Sequence, residues 1–287
     1  MTVKGDNVMT GGEHSSSQQT LTVQEAIDLA VQHHNAGDLS AAENIYQQIL
    51  QANPNQPVAL HLLGVIAHQG GDNDRAVDLI TKALDINPEN SEAHSNLGNA
   101  YRKLGKLEKA IASYRKAIVL NPDFEQAHSN LGIVFEELGQ FDEAIVCYEK
   151  ALEISPNYAG AHFNYGNTLR RMGKLNEAVS HYVKAVNINA NYVEAQTNLG
   201  ATLTELGKYN DAIATIQKVL SIAPDHAGAH SNLGVIYQDQ GDVDEAVKRV
   251  DIALSYEPQR AGWHIKKTLF MPIIPYSQDD IVTRRNT

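Results

Sequence analysis

A single cysteine, Cys147, rules out an intrachain disulfide framework. It stands between Val146 and Tyr148 in an apolar helical run, where a thiol is expected to pack as a small buried hydrophobe. No apolar stretch reaches the ~18 residues that a membrane span needs. The first twenty residues also lack the apolar core of a secretory signal. The expectation is a cytoplasmic protein without membrane insertion. Positive charge is scarce: 23 Lys and Arg against 34 Asp and Glu give a net charge of -11. Gripping a phosphate backbone calls for a basic face, so nucleic acid is not an expected partner. Phosphate-binding loops are missing as well, since neither G-x-G-x-x-G nor G-x4-G-K-[ST] occurs.

What the chain does have is a period. Prolines stand at Pro54, Pro88, Pro122, Pro156, Pro224 and Pro258, and only Ala190 interrupts the 34-residue step. Glycines repeat at Gly64, Gly98, Gly132, Gly166, Gly200 and Gly234. A second, complete column runs Gly37, Gly71, Gly105, Gly139, Gly173, Gly207 and Gly241. Alanine keeps the same step from Ala42 to Ala246. A fixed period of this length describes a stack of helical supersecondary units, each burying its apolar face on its neighbours. Seven units fit: 23–56, 57–90, 91–124, 125–158, 159–192, 193–226 and 227–260. Before them lies a polar arm over 1–20 with no apolar period, expected to be disordered. After them comes 261–287, where Trp263 to Met271 reads as a capping helix that Pro272 and Pro275 end.

Within a unit, residues such as Ala127, Leu131, Val134, Phe135 and Leu138 follow helical spacing. Gly139 then suits the left-handed conformation that closes helix A. Phe141 followed by Asp142 reads as a hydrophobic staple and a cap, so helix B is expected to start near Asp142. Ser40, Asp74, Glu108, Asn176, Asn210 and Asp244 fill the same place. Ala144, Ile145, Tyr148, Ala151 and Leu152 form the apolar face of helix B, and Ser155-Pro156 stops it.

These residues carry a resemblance. Leu97-Gly98, Tyr101, Gly105, Ala110, Tyr114, Ala117 and Pro122 resemble the tetratricopeptide repeat, with His94, His128, His162, Gln196 and His230 where that family usually has tryptophan. The resemblance implies an all-α, right-handed superhelical solenoid with helices A lining the concave side. It also implies a non-catalytic scaffold that binds a protein or peptide in its groove. The segment KKTLFMPIIPYSQDDI is similar to the joint between repeats and catalytic part in bacterial O-linked GlcNAc transferase-like proteins. That similarity gives a second reading, the substrate-recruiting part of such a glycosyltransferase. No catalytic residue is carried over by it.

Candidate site residues come from columns of helix A, counting each unit from its first residue. Position six is Asn96, Asn130, Asn164, Asn198 and Asn232. A carboxamide matches the donor and acceptor of a peptide backbone. Helices spaced ~8–10 Å apart would meet about every third residue of an extended strand that advances ~3.3 Å per residue. The same amides could instead bond between neighbouring helices. Asn99, Arg102 and Lys103 in unit three, and Asn167, Arg170 and Arg171 in unit five, add basic patches suited to partner carboxylates. Glu136, Glu137, Glu194, Glu205 and Asp239 make the face mixed in sign. The histidine column reads as packing rather than metal ligation, because residues one unit apart cannot converge on one ion. No cofactor is implied. Self-association through the end units is the remaining alternative among partners.

Overall fold

The computed structural model describes residues 20–264 and two short stretches, 2–4 and 7–9. Three strands come first, β1 (Thr2–Lys4), β2 (Asn7–Met9) and β3 (Thr20–Thr22), paired antiparallel in the order β1-β2-β3. The arm expected to be disordered therefore contains short paired strands. Their composition explains it: Thr2, Val3, Val8, Leu21 and Thr22 favour extended backbone. Lys4 pairs with Asn7, so two residues separate β1 from β2, and Gly5-Asp6 is a pair suited to a hairpin.

Among the described residues fourteen paired helices follow, before a last helical stretch at 261–264. The A helices are α1 (Val23–Asn35), α3 (Pro57–Gln69), α5 (Ser91–Lys103), α7 (Glu125–Glu137), α9 (Ala159–Arg171), α11 (Val193–Glu205) and α13 (Ala227–Asp239). The B helices are α2 (Leu39–Ala52), α4 (Asn73–Ile86), α6 (Leu107–Leu120), α8 (Phe141–Ile154), α10 (Leu175–Ile188), α12 (Tyr209–Ile222) and α14 (Val243–Tyr256). Each A packs on the B that follows it, and each repeat is one helix pair. The chain forms two compact units, Met1–Pro156 with repeats one to four and Asn157–Thr287 with repeats five to seven.

Two glycine columns shape the pair for different reasons. The complete column holds positive φ, from 69° at Gly105 to 85° at Gly71. At Gly139 the next amide, Gln140 N–H, reaches back to the Phe135 carbonyl at 2.8 Å and satisfies the end of α7. The other column works by contact. A methyl group on Gly132 would lie 2.6 Å from the Tyr148 ring, on Gly98 2.7 Å from Tyr114, and on Gly166 2.7 Å from Tyr182. Helix A can approach helix B only because no side chain intervenes. The facing Tyr114, Tyr148 and Tyr182 are fully buried, as are the alanine column from Ala42 to Ala246 and Tyr46 in repeat one, where Ala30 takes the glycine's place.

Helix B begins earlier than the staple-and-cap reading places it. Asp38, Asp72 and Asp242 are the caps, accepting from Ala41, Arg75 and Glu245 N–H. Lys106, Gln140, Lys174 and Lys208 occupy the same place without a side-chain cap bond. One residue after the glycine serves both helices, closing A and opening B, so the connection is too short for a staple. Ser40, Asp74, Glu108, Asp142, Asn176, Asn210 and Asp244 lie inside the first turn. Acidic groups there still favour the helix N-terminus.

Cys147 also departs from expectation. It is half-buried on α8 rather than in the core, and lines a shallow cleft with His128, Val146 and Lys150. Burial pushes its thiol up to about 11. At the far end, 261–264 are helical, and Trp263 is buried against Ala227, Ala246, Val250 and Ala253. The rest of the expected capping helix, to Met271, and the KKTLFMPIIPYSQDDI segment lie outside the described residues.

Candidate partner-binding face along helix A

Positions two, six, nine, twelve and thirteen form an accessible stripe. On α5 these are Glu92, Asn96, Asn99, Arg102 and Lys103; on α7 they are Gln126, Asn130, Ile133, Glu136 and Glu137. The helical spacing of three and four residues keeps them on one face.

The asparagines are not idle on that face. In repeats three and four the Tyr114 hydroxyl donates to Asn99 Oδ1 at 2.7 Å, and Asn130 Nδ2 donates to the same oxygen at 3.2 Å. Asn99 Nδ2 reaches Asn96 Oδ1 at 3.5 Å, and Asn96 Nδ2 donates to His61 Nε2 at 2.9 Å. Repeats five and six repeat the core of it. The Tyr182 hydroxyl and Asn198 Nδ2 both donate to Asn167 Oδ1, each at 2.8 Å. In repeat seven Asn232 Nδ2 donates to the Thr197 carbonyl at 3.4 Å. Asn164 is half-buried on α9. Asn96, Asn130, Asn198 and Asn232 thus bond between neighbouring helices, and each carboxamide keeps part of its capacity.

The basic patches are partly engaged within the stripe. Arg102 donates to Glu137 at 2.8 Å, and Arg170 Nε donates to Glu205 at 3.1 Å. Both arginines are paired with a carboxylate of the following repeat. The reason is spacing: position twelve of one repeat faces position thirteen of the next, 35 residues on. His34 and Gln69 occupy the same two places, 3.1 Å apart. Lys103 and Arg171, at position thirteen of their own repeats, are exposed. Phe163 packs beside Tyr182 and Tyr192, with ring centroids 6.2 and 5.1 Å away.

The histidine column staples loops. Nε2 of His94, His128 and His230 donates to the carbonyl of Pro88, Pro122 and Pro224 at 2.9–3.0 Å. Gln196 reaches the Ala190 carbonyl in the same way, and His264 that of Pro258. The bond needs a donor at position four, which histidine and glutamine share. His162 is buried, with Nδ1 3.1 Å from His181 Nδ1.

Repeat one differs at the tyrosine. Position nine there is Val31, and the buried Tyr46 hydroxyl has no hydrogen-bond partner. Burial pushes its pKa up to about 12. Tyr46→Phe is therefore expected to leave urea stability unchanged or slightly raised. Tyr114→Phe, which strips Asn99 of a donor, should cost about 1 kcal/mol. Equal losses from both would sink this distinction.

Family models described as TPR repeat match 98–139 and 166–204. Others described as tetratricopeptide repeat match 27–91, 79–112, 125–158, 147–180 and 203–268. Together they run from 27 to 268, and the match at 125–158 coincides with one helix pair, α7 and α8. The chain is a tetratricopeptide repeat protein. No curated protein is a significant match to it. Among solved structures, this TPR chain is similar to YrrB, described as a TPR protein with an unusual peptide-binding site. The two are 27% identical, with TM-score 0.53, covering 66% of this chain and 97% of YrrB. A TPR protein from Parabacteroides merdae is 22% identical with TM-score 0.65, covering 87% of this chain and 99% of the other. The Cut9–Hcn1 assembly of APC/C is 16% identical with TM-score 0.74, covering 85% of this chain and 48% of the other. The last two speak for the TPR fold alone. Among the described residues no helix is long and apolar enough to cross a membrane.

The TPR ladder contains residues that column reading passed over. His61, Tyr114 and Tyr182 complete it from buried sites, while the pairing of Glu137 and Glu205 with the arginines gives those two candidates a partner. Complementary side chains 35 residues apart were the available signal.

Proposed function

We propose that the chain is a non-catalytic interaction scaffold that binds an extended segment of a protein partner along its helix A stripes. The observation that carries this reading is the amide ladder. Asn130 and Asn198 each use one N–H on the preceding repeat and leave the carbonyl oxygen for a partner's backbone N–H. Asn96, Asn164 and Asn232 add amides at the same position. Arg102, Lys103, Arg170 and Arg171 are the basic groups that would choose among partners by charge. A backbone-directed ladder gives sequence-tolerant affinity, at a net ~0.5–1.5 kcal/mol per hydrogen bond.

The test is affinity for a captured partner segment, measured with the wild-type chain and with Asn130→Ala/Asn164→Ala/Asn198→Ala. A tenfold or greater weakening is expected, with helicity unchanged by circular dichroism. Undiminished affinity in a folded triple variant would refute the ladder as a binding device.

A further inference from the structure

Helix α3 breaks the polar pattern of the stripe. Its accessible residues at positions two, six and nine are Val58, Leu62 and Val65, where α5 has Glu92, Asn96 and Asn99. Val31 precedes Leu62 by 31 residues, the spacing that joins Asn99 to Asn130 and Asn167 to Asn198. In repeats one and two that slot is filled by a valine and a leucine packed on one apolar cluster instead of by a hydrogen bond. Val58 is 39% exposed. The result is an apolar strip, bordered in the same columns by the exposed carboxylates Asp28 on α1 and Glu92 on α5.

Charge singles out the same end. Residues 23–90 carry nine Asp and Glu against Arg75 and Lys82, a net charge of -7 out of -11 for the chain. The segment 261–287, beyond the repeats, has the opposite sign: Lys266, Lys267, Arg284 and Arg285 outweigh Asp279 and Asp280. Within it Lys266-Lys267 is followed at once by Thr268 and then by Leu269-Phe270-Met271. That is the chemistry the strip lacks, large apolar side chains next to paired cations. The strip and the basic segment belong to different compact units, with five repeats between them in sequence.

We propose that residues 266–271 of one copy dock on the α1–α3 strip of a second copy. Leu269 and Phe270 cover Val58, Leu62 and Val65, and the two lysines lie beside Asp28 and Glu92. Such a contact is heterologous, because different surfaces of the two copies meet, and it joins copies head to tail. It does not use the asparagine ladder, so it stands or falls separately from partner binding.

The experiment is crosslinking between two distinguishable copies of the full chain. Both carry Cys147→Ser, a change with a precedent in Ser113, which holds the same position in repeat three. One copy carries Val58→Cys and the other, tagged, Phe270→Cys. Mild oxidation is expected to give a 58–270 heterodimer whose yield rises with protein concentration. Adding Lys266→Glu/Lys267→Glu should lower that yield at least fivefold, as should high salt, which screens exposed charges. Val119→Cys serves as the control, since Val119 is 73% exposed on α6. Equal yield with Val119→Cys, no heterodimer, or insensitivity to the lysine reversal would each overturn the proposal. In a chain that carries both Val58→Cys and Phe270→Cys, a 58–270 linkage formed only within single chains would overturn the second-copy assignment.

Discussion

Gly132→Ala is expected to destabilise the protein by about 1 kcal/mol, although alanine is the better helix former. The added methyl would sit 2.6, 2.9 and 3.0 Å from three atoms of the Tyr148 ring. That ring is fully buried, so it cannot swing aside without disturbing its own packing. Overpacking of this kind costs typically 1–3 kcal/mol. Helix propensity returns about 1 kcal/mol. The steric effect is the larger because the clash is with a rigid ring and not with the end of a flexible side chain. Gly139→Ala makes the comparison. Nothing lies within 4 Å of its added methyl, and the cost is conformational, since φ is +76°. A left-handed alanine costs roughly 1–2 kcal/mol. Urea unfolding of both variants measures the two effects, and wild-type stability in Gly132→Ala would contradict the close approach of α7 and α8.

The second large effect is loss of stability in mild acid. Burial pulls His61 to about 4 from an ordinary 6.5. His181 is also held at about 4, by burial first and then by the neighbouring His162 and Lys184. Both native pKa values are depressed, so the unfolded chain takes up protons first as pH falls. The stabilisation is fully present above pH ~6.5, shrinks below it, and is gone by about pH 4. A shift of this size at the buried His61 corresponds to roughly 3 kcal/mol. The half-exposed His181 contributes less, because solvent screens it. The surroundings suit neutral rings: His61 Nε2 accepts from Asn96, and the paired Nδ1 atoms of His162 and His181 hold one proton between them. Denaturant midpoints between pH 7.5 and 4.5 should fall steeply, and His61→Gln should flatten the profile while keeping an acceptor for Asn96. A profile that is flat in the wild type would be inconsistent with these buried neutral histidines.

The repeat was legible because its signals are local. Gly139 must close a helix, Pro156 must follow one, and Ala144 must be small, whichever repeat is read. The start of helix B was misplaced by two residues because Phe141-Asp142 satisfies the staple pattern by composition. Only the backbone shows that one residue after Gly139 serves both helices. The face was legible as a column of exposed positions, but its chemistry was not. Arg102 looks available until Glu137 of the next repeat is seen beside it. Asn130 reads as a groove amide, and only the structure shows that one of its N–H groups is given to Asn99. Those outcomes depend on the register between repeats, which a single repeat does not contain.

That register has a genetic consequence. Arg102 meets Glu137 and Arg170 meets Glu205 because repeats three and five carry a cation at position twelve while four and six carry an anion at position thirteen. Excising repeat four alone would bring Arg102 opposite Arg171, and a complementary pair would become a repulsive one. Excising repeats four and five together would bring Arg102 opposite Glu205 and preserve the match. The helix pair is the unit in which this protein folds, but 68 residues is the unit in which this part of the chain can be shortened or lengthened without loss.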